Sequence, residues 1–139
     1  MKISVKKSLI WVAVAAIAIV VVMQPGSRTE KFVYDIDTIS QTCNFDVFEG
    51  QDVKSVEDSI IITMPIQTPT PCYDVTGTVN FFGRDVVVNL ETRAKDGFCA
   101  ECIGTVVARV TLSNLDSGKY DIQVNAPDKH LVFKEVEVK

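Results

Sequence analysis

Histidine is almost missing from this chain: His130 is the only one in 139 residues. Most acid–base and metal chemistry leans on the imidazole ring, so a hydrolase of the Ser–His kind would have to rest wholly on His130. No P-loop, dinucleotide fingerprint, GxSxG or HExxH motif occurs. None of Asn44, Asn80, Asn89, Asn114 and Asn125 begins a glycosylation sequon. Alanine and leucine are scarce after residue 27, with 8 among 112 residues, whereas valine, isoleucine and threonine number 35. A helical domain would reverse that ratio. Cations are short as well. Residues 28–139 hold 11 Lys and Arg against 18 Asp and Glu, a formal charge of −7. Nucleic-acid binding needs clustered cations, so no nucleic-acid partner is expected. The expectation is a chain with no enzymatic activity, no cofactor and no metal.

No acidic residue occurs before Glu30 and no cysteine before Cys43. What stands there instead is Lys2, Lys6 and Lys7, followed by the unbroken apolar run of residues 9–23. A basic head before an apolar stretch is the layout of a secretory signal or an uncleaved membrane anchor. Fifteen helical residues reach about 23 Å, short of the roughly 30 Å hydrocarbon core. The charge-free stretch is longer, residues 8–27, and its flanking lysines can snorkel. Ala16 and Ala18 have the spacing of a cleavage site but lie inside the apolar run, and the Gln24-Pro25-Gly26-Ser27 that follows it is a poor one. The reading is therefore an anchor spanning residues 8–27, with a secreted form after cleavage as the alternative. The absence of an early cysteine excludes a lipoprotein anchor. The lysine bias puts residues 1–7 in the cytoplasm and residues 28–139 outside, with the bilayer as one partner. Trp11, the only tryptophan, sits in this segment, toward its cytoplasmic end.

The rest alternates with period two, the signature of half-buried strands. Tyr73, Val75, Val79 and Phe81 share a face, as do Val86, Val88 and Leu90. Val106, Ala108, Val110 and Leu112 form another such set, and so do Tyr120, Ile122 and Val124. Phe32, Tyr34 and Ile36 predict a strand, as do Phe45 and Val47. The run Ser59-Ile60-Ile61-Ile62-Thr63-Met64 suggests a strand buried on both faces. Val136 and Val138 have opposite parity to Leu131 and Phe133, which predicts a bulge near Lys134. Phe82-Gly83-Arg84-Asp85 has the Gly-X pair of a type II′ hairpin. Residues 51–58 read as a single helical turn. The total is seven or eight strands in about 110 residues, which predicts an all-β two-sheet sandwich behind one N-terminal helix.

The segment Leu115-Asp116-Ser117-Gly118-Lys119-Tyr120, running on to Val124, resembles the approach to the penultimate strand of fibronectin-type-III and other immunoglobulin-like domains. The resemblance implies an immunoglobulin-like sandwich in which Tyr120 is a structural corner residue. The Cys–Trp–Cys core of antibody domains is absent. Thr68-Pro69-Thr70-Pro71-Cys72-Tyr73, with Cys99-Ala100-Glu101 further on, is similar to a TPTPCY…CAQ pattern in small secreted prokaryotic sandwich domains. Glu101 replaces the glutamine, and Cys102 is extra.

Four cysteines in an exported domain favour two disulfides, and spacing alone leaves three pairings open. The similarity to the two-cysteine pattern implies Cys72 with Cys99, which leaves Cys43 for Cys102. A thioredoxin-like use of Cys99-Ala100-Glu101-Cys102 needs a helix after the motif, and a strand pattern follows instead. The candidate contact surface is Ile66, Gln67, Thr68, Pro69, Thr70 and Pro71, a proline-stiffened segment ended by Cys72. Such a loop has little entropy left to lose on binding. Ile66 would be its apolar anchor, and an unidentified extracytoplasmic protein its partner. The alternative is a protease-inhibitor-like module that uses residues 65–71. Protease added to intact cells is expected to remove residues 28–139. Full protection of a chain found soluble in the cytoplasm would overturn the topology.

Overall fold

The structure is a computed structural model and describes residues 32–43 and 50–139. The helical membrane anchor expected at residues 8–27 and the strand expected around Phe45 and Val47 lie outside the described residues. Eight strands follow in chain order: β1 (Val33–Thr42), β2 (Asp52–Val56), β3 (Ser59–Thr68), β4 (Tyr73–Phe82), β5 (Asp85–Ala94), β6 (Gly104–Ser113), β7 (Gly118–Asn125) and β8 (His130–Val138). They form two four-stranded sheets, ordered β1-β6-β3-β2 and β4-β5-β7-β8. Every pairing is antiparallel except β5 with β7, which is parallel. Among the described residues no helix is long and apolar enough to cross a membrane.

Period-two alternation explains the layers. Ile60, Ile62, Met64 and Ile66 of β3 and Val106, Ala108, Val110 and Leu112 of β6 turn inward from one sheet. Val75, Val79, Val86, Val88, Leu90, Tyr120, Ile122 and Val124 meet them from the other. Each Val, Leu, Ile or Met among them is worth roughly 1.5–3 kcal/mol when fully buried. Two sequence expectations change here. The Ser59–Met64 run is buried on one face only: Ile61 is half-buried, because the outer face of β3 has no layer over it to match the core. Residues 51–58 contain a strand, β2, and a turn rather than a helical turn. Val53 packs on the core, and pairing with β3 holds the segment extended.

The edges of the two sheets are joined by side chains. At one seam Thr38 Oγ1 of β1 accepts from the Val75 amide of β4 at 2.8 Å, and Gln41 donates to the Tyr73 carbonyl at 2.7 Å. At the other, β2 begins opposite Thr63, leaving Pro65 and Gln67 of β3 with a strand, β6, on one side only. Lys129 donates to the Pro65 carbonyl at 2.6 Å, and Asp128 accepts from the Gln67 amide at 3.1 Å. Pro65 is tolerated because its missing N–H lies on that uncovered side.

Strand register defines two ends. One end holds the start of β1, the β2–β3 and β4–β5 hairpins, and the turn into β7. Gly83 has φ +67°, as the first central residue of a type II′ turn requires. Arg84 beside it donates to the Ser117 carbonyl at 2.9 Å and lies over the Tyr120 ring. The Tyr120 hydroxyl donates to the Asp116 carbonyl at 3.0 Å, and the Leu115 amide to the Asp58 carbonyl at 3.0 Å. On β8 two residues, Lys134 and Glu135, lie between Phe133 and Val136 where β7 has only Asp121, so a bulge sits there. The Asp121 carboxylate accepts the spare Glu135 amide at 2.8 Å. Tyr120→Phe is expected to lower unfolding free energy by about 1–2 kcal/mol, since it leaves the Asp116 carbonyl without its donor. Urea denaturation measures this; an unchanged midpoint would remove the hydroxyl from the account of this corner.

Candidate functional site

The opposite end of the domain is where loops gather: residues 69–72, 95–103 and 126–129, together with Cys43 at the close of β1. Two disulfides meet there. Cys43 is bonded to Cys102 and Cys72 to Cys99, and no described cysteine is free. Both bridges land in the β5–β6 loop, one tying it to the end of β1 and the other to the β3–β4 loop. Noncovalent bonds fasten the base of that loop. The Lys95 amide donates to the Cys72 carbonyl at 2.9 Å. The Lys95 ammonium pairs with Asp74 at 3.0 Å, and Gln41 contacts both side chains. Gly97, with φ +113°, makes the bend before the tip.

The candidate contact segment divides differently from its sequence reading. Ile66, Gln67 and Thr68 are not loop but the last residues of β3. Ile66 is 0% exposed and belongs to the core, so it is not an apolar anchor for a partner. Its parity places it there, in line with Ile60, Ile62 and Met64. Thr68 is 3% exposed, and its hydroxyl donates to the Thr70 carbonyl at 2.6 Å. Thr70 and Pro71 are half-buried, and their backbone lies directly over Gly104, where a Cβ would collide with it. Only Gln67 and Pro69 of the six are exposed. They line a shallow groove of about 380 Å³ with Thr68, Ile103 and Asp128.

What sequence reasoning did not single out is the exposed apolar surface of the β5–β6 loop. Phe98, at the tip of the stapled loop, is fully exposed, and Ile103 is 61% exposed. Both were legible only as letters in the turn around Gly97 and Cys99; nothing in a Gly-Phe-Cys sequence says which way the ring points.

His130 is part of a ladder across the outer face of the second sheet. Its Nδ1 lies 2.6 Å from Asn125 Oδ1, and Asn125 donates to Asn89 Oδ1 at 2.8 Å. These neighbours are amides, which orient the ring but carry no proton to relay. Among the described residues no three His, Cys, Asp or Glu side chains converge as metal ligands. The stapled end presents an exposed ring, an aliphatic side chain, a proline and a few polar groups on a frame held by two disulfides.

Comparison with known protein families, with curated proteins and with solved structures finds no match to this chain.

Each bridge closes a long loop, with sequence separations of 27 for Cys72–Cys99 and 59 for Cys43–Cys102. Replacing Cys72 and Cys99 together by alanine is expected to cost about 2–4 kcal/mol of stability. It should also make the peptide bond after Phe98 newly sensitive to chymotrypsin, while the Cys43–Cys102 bridge persists in non-reducing peptide mapping. Unaltered stability and cleavage would show that the second bridge alone holds the loop.

Proposed function

We propose that this chain is a membrane-anchored extracytoplasmic β-sandwich of immunoglobulin-like kind that acts by binding another protein through its stapled end. The observation that carries the reading is Phe98. A fully exposed phenylalanine is an ordinary surface residue on a mobile loop, but here two disulfides fix the loop that presents it. A preformed apolar anchor binds with little ordering cost, and aromatic anchors are enriched among the residues that dominate binding energy. Ile103 and Pro69 add apolar surface in the groove at the same end of the domain, and Gln67 and Asp128 supply its polar groups.

The location rests on two independent features. Disulfides persist in oxidising compartments, and the lysine-led apolar run of residues 8–27 is an export signal that doubles as an anchor. The described chain begins at Phe32, at the end of the sandwich opposite the two disulfides. The immunoglobulin-like assignment is supported by the Tyr120 hydroxyl, which reaches back four residues to Asp116 as a tyrosine corner does. The parallel β5–β7 pair departs from the wholly antiparallel sheets of those domains, so the likeness is one of layers and corner, with its own strand order.

The full chain, solubilised from its native membrane, provides the test. Phe98→Asp is expected to weaken capture of the bound protein at least tenfold, about 1.4 kcal/mol, with both disulfides and the circular dichroism spectrum unchanged. Undiminished capture by that variant would overturn the stapled end as the contact surface.

A further inference from the structure

Four strands stand at the edges of the two sheets, and an edge strand is a template for pairing with another chain unless something blocks it. Three of the four are guarded. β1 carries Asp35 and Asp37 and a register break between Thr38 and Ser40. β2 is five residues long and bears Asp52 and Lys54. β8 has Lys134, Glu135 and Glu137 and the bulge opposite Asp121. In β4 the stretch Thr76-Gly77-Thr78-Val79-Asn80-Phe81-Phe82 has no charge and no proline, and its pairing with β5 runs without a bulge.

The outward direction of each β4 residue follows from the seam with β1. The Tyr73 carbonyl and the Val75 amide both point away from β5, because Gln41 and Thr38 reach them from the other sheet. Alternation then turns the N–H and C=O of Gly77, Val79 and Phe81 outward too. Among the described residues no hydrogen bond reaches those groups. Phe82 completes the picture, 66% exposed at the end of the strand.

We propose that β4 pairs antiparallel with β4 of a second copy of this chain, about a two-fold axis at Val79, joining the two β4-containing sheets into one eight-stranded sheet. The register is set by the strand itself. With the axis at Val79, Gly77 faces the second copy's Phe81 and Val79 faces its counterpart, so every outward-pointing amide and carbonyl meets another. A two-fold axis perpendicular to the sheet keeps the faces matched, with core-facing residues beside core-facing residues. On the solvent face Thr78 lies against Asn80 of the second copy, and Thr76 against Phe82, which covers the exposed ring. No charged residue of β4 falls within this register. The pairing stops at Thr76 and Phe82, because the Val75 amide is already held by Thr38 and the chain turns at Gly83. This is the isologous geometry of most homodimers.

Thr78 and Asn80 are exposed in the single copy, so substitution there leaves the core untouched. The full chain in detergent micelles is examined by sedimentation velocity, together with T78K/N80K and T78K/N80E. The wild type is expected to sediment as a dimer, and the lysine pair, which sets two ammonium groups side by side twice across the axis, to dimerise about tenfold more weakly or worse. The lysine–glutamate variant places opposite charges at the same contacts and is expected to dimerise like the wild type or better. Amide exchange of Gly77, Val79 and Phe81 should slow as the wild-type chain is concentrated. A monomeric wild type, or a lysine-pair variant that dimerises as well as the wild type, overturns the proposal. The second result would also place any self-association on another surface, such as the apolar segment.

Discussion

Everything in this domain is arranged around one contact: the inner faces of β3 and β6 against those of β5 and β7. Ile60, Ile62, Met64, Ile66, Val106, Val110, Leu112, Ile122 and Val124 all lose essentially their whole surface to it. These four strands are the interior strands of their sheets, each flanked on both sides. The edge strands contribute less, with β1, the Phe32 before it and β2 offering only partly buried Ile36, Phe32 and Val53. The core is therefore densest in the middle and thins toward both seams, where polar side chains take over. Thr38, Gln41, Asp128 and Lys129 close the seams by bonding backbone groups that no strand reaches. This satisfies backbone donors and acceptors that would otherwise be lost to burial.

The two ends of the domain are secured by different means. At the end where β1 begins, tight turns and hydrogen bonds suffice: Arg84 on Ser117, Tyr120 on Asp116 and Leu115 on Asp58. At the other end the connections are longer. The β5–β6 loop spans nine residues between Ala94 and Gly104 and contributes no residue to the core cluster. Such a loop would order poorly by packing alone. Two covalent bonds supply what packing does not, and the result is apolar surface held in water in a fixed shape. The covalent bonds lie in the loop that adds nothing to the core, and they hold its exposed apolar surface in place.

Much of the fold is legible in the letters because alternation is a local signal. Strands with a clear period, β5, β6 and β7, bury their inner residues almost completely, as the physics of a two-layer core requires. The bulge at Lys134 was readable because Phe133 and Val136 fall on opposite parities yet both pack inward. β2 was not readable. Its apolar residues Val53 and Val56 are three apart, a helical interval, and only pairing with β3 makes it a strand. Ile66 misled for a related reason. Proline on both sides, at 65 and 69, suggested a loop, but Pro65 occupies the one backbone position in β3 whose outward neighbour is a lysine side chain rather than a strand. The parallel pairing of β5 with β7 leaves no local trace at all, since period two is the same in either direction. Phe98 was illegible because exposure at a loop tip depends on where both disulfides pull the chain.

Gly104 shows how closely the stapled end is coupled to the core. It opens β6, the strand between β1 and β3, and the backbone of Thr70 and Pro71 crosses it where any side chain would stand. The same loop continues into Cys72, and thus through the bridge to Cys99 and the tip at Phe98. Two residues before Gly104, Cys102 carries the other bridge to the end of β1. Strand β6, the loop over it and the stapled tip are therefore one mechanical unit. A side chain at 104 would lift the Thr70–Pro71 crossing, and with it the anchor point of the loop that presents Phe98. The position of the exposed ring is set from within the sheet, so a contact surface made of loop residues inherits the rigidity of the core beneath it.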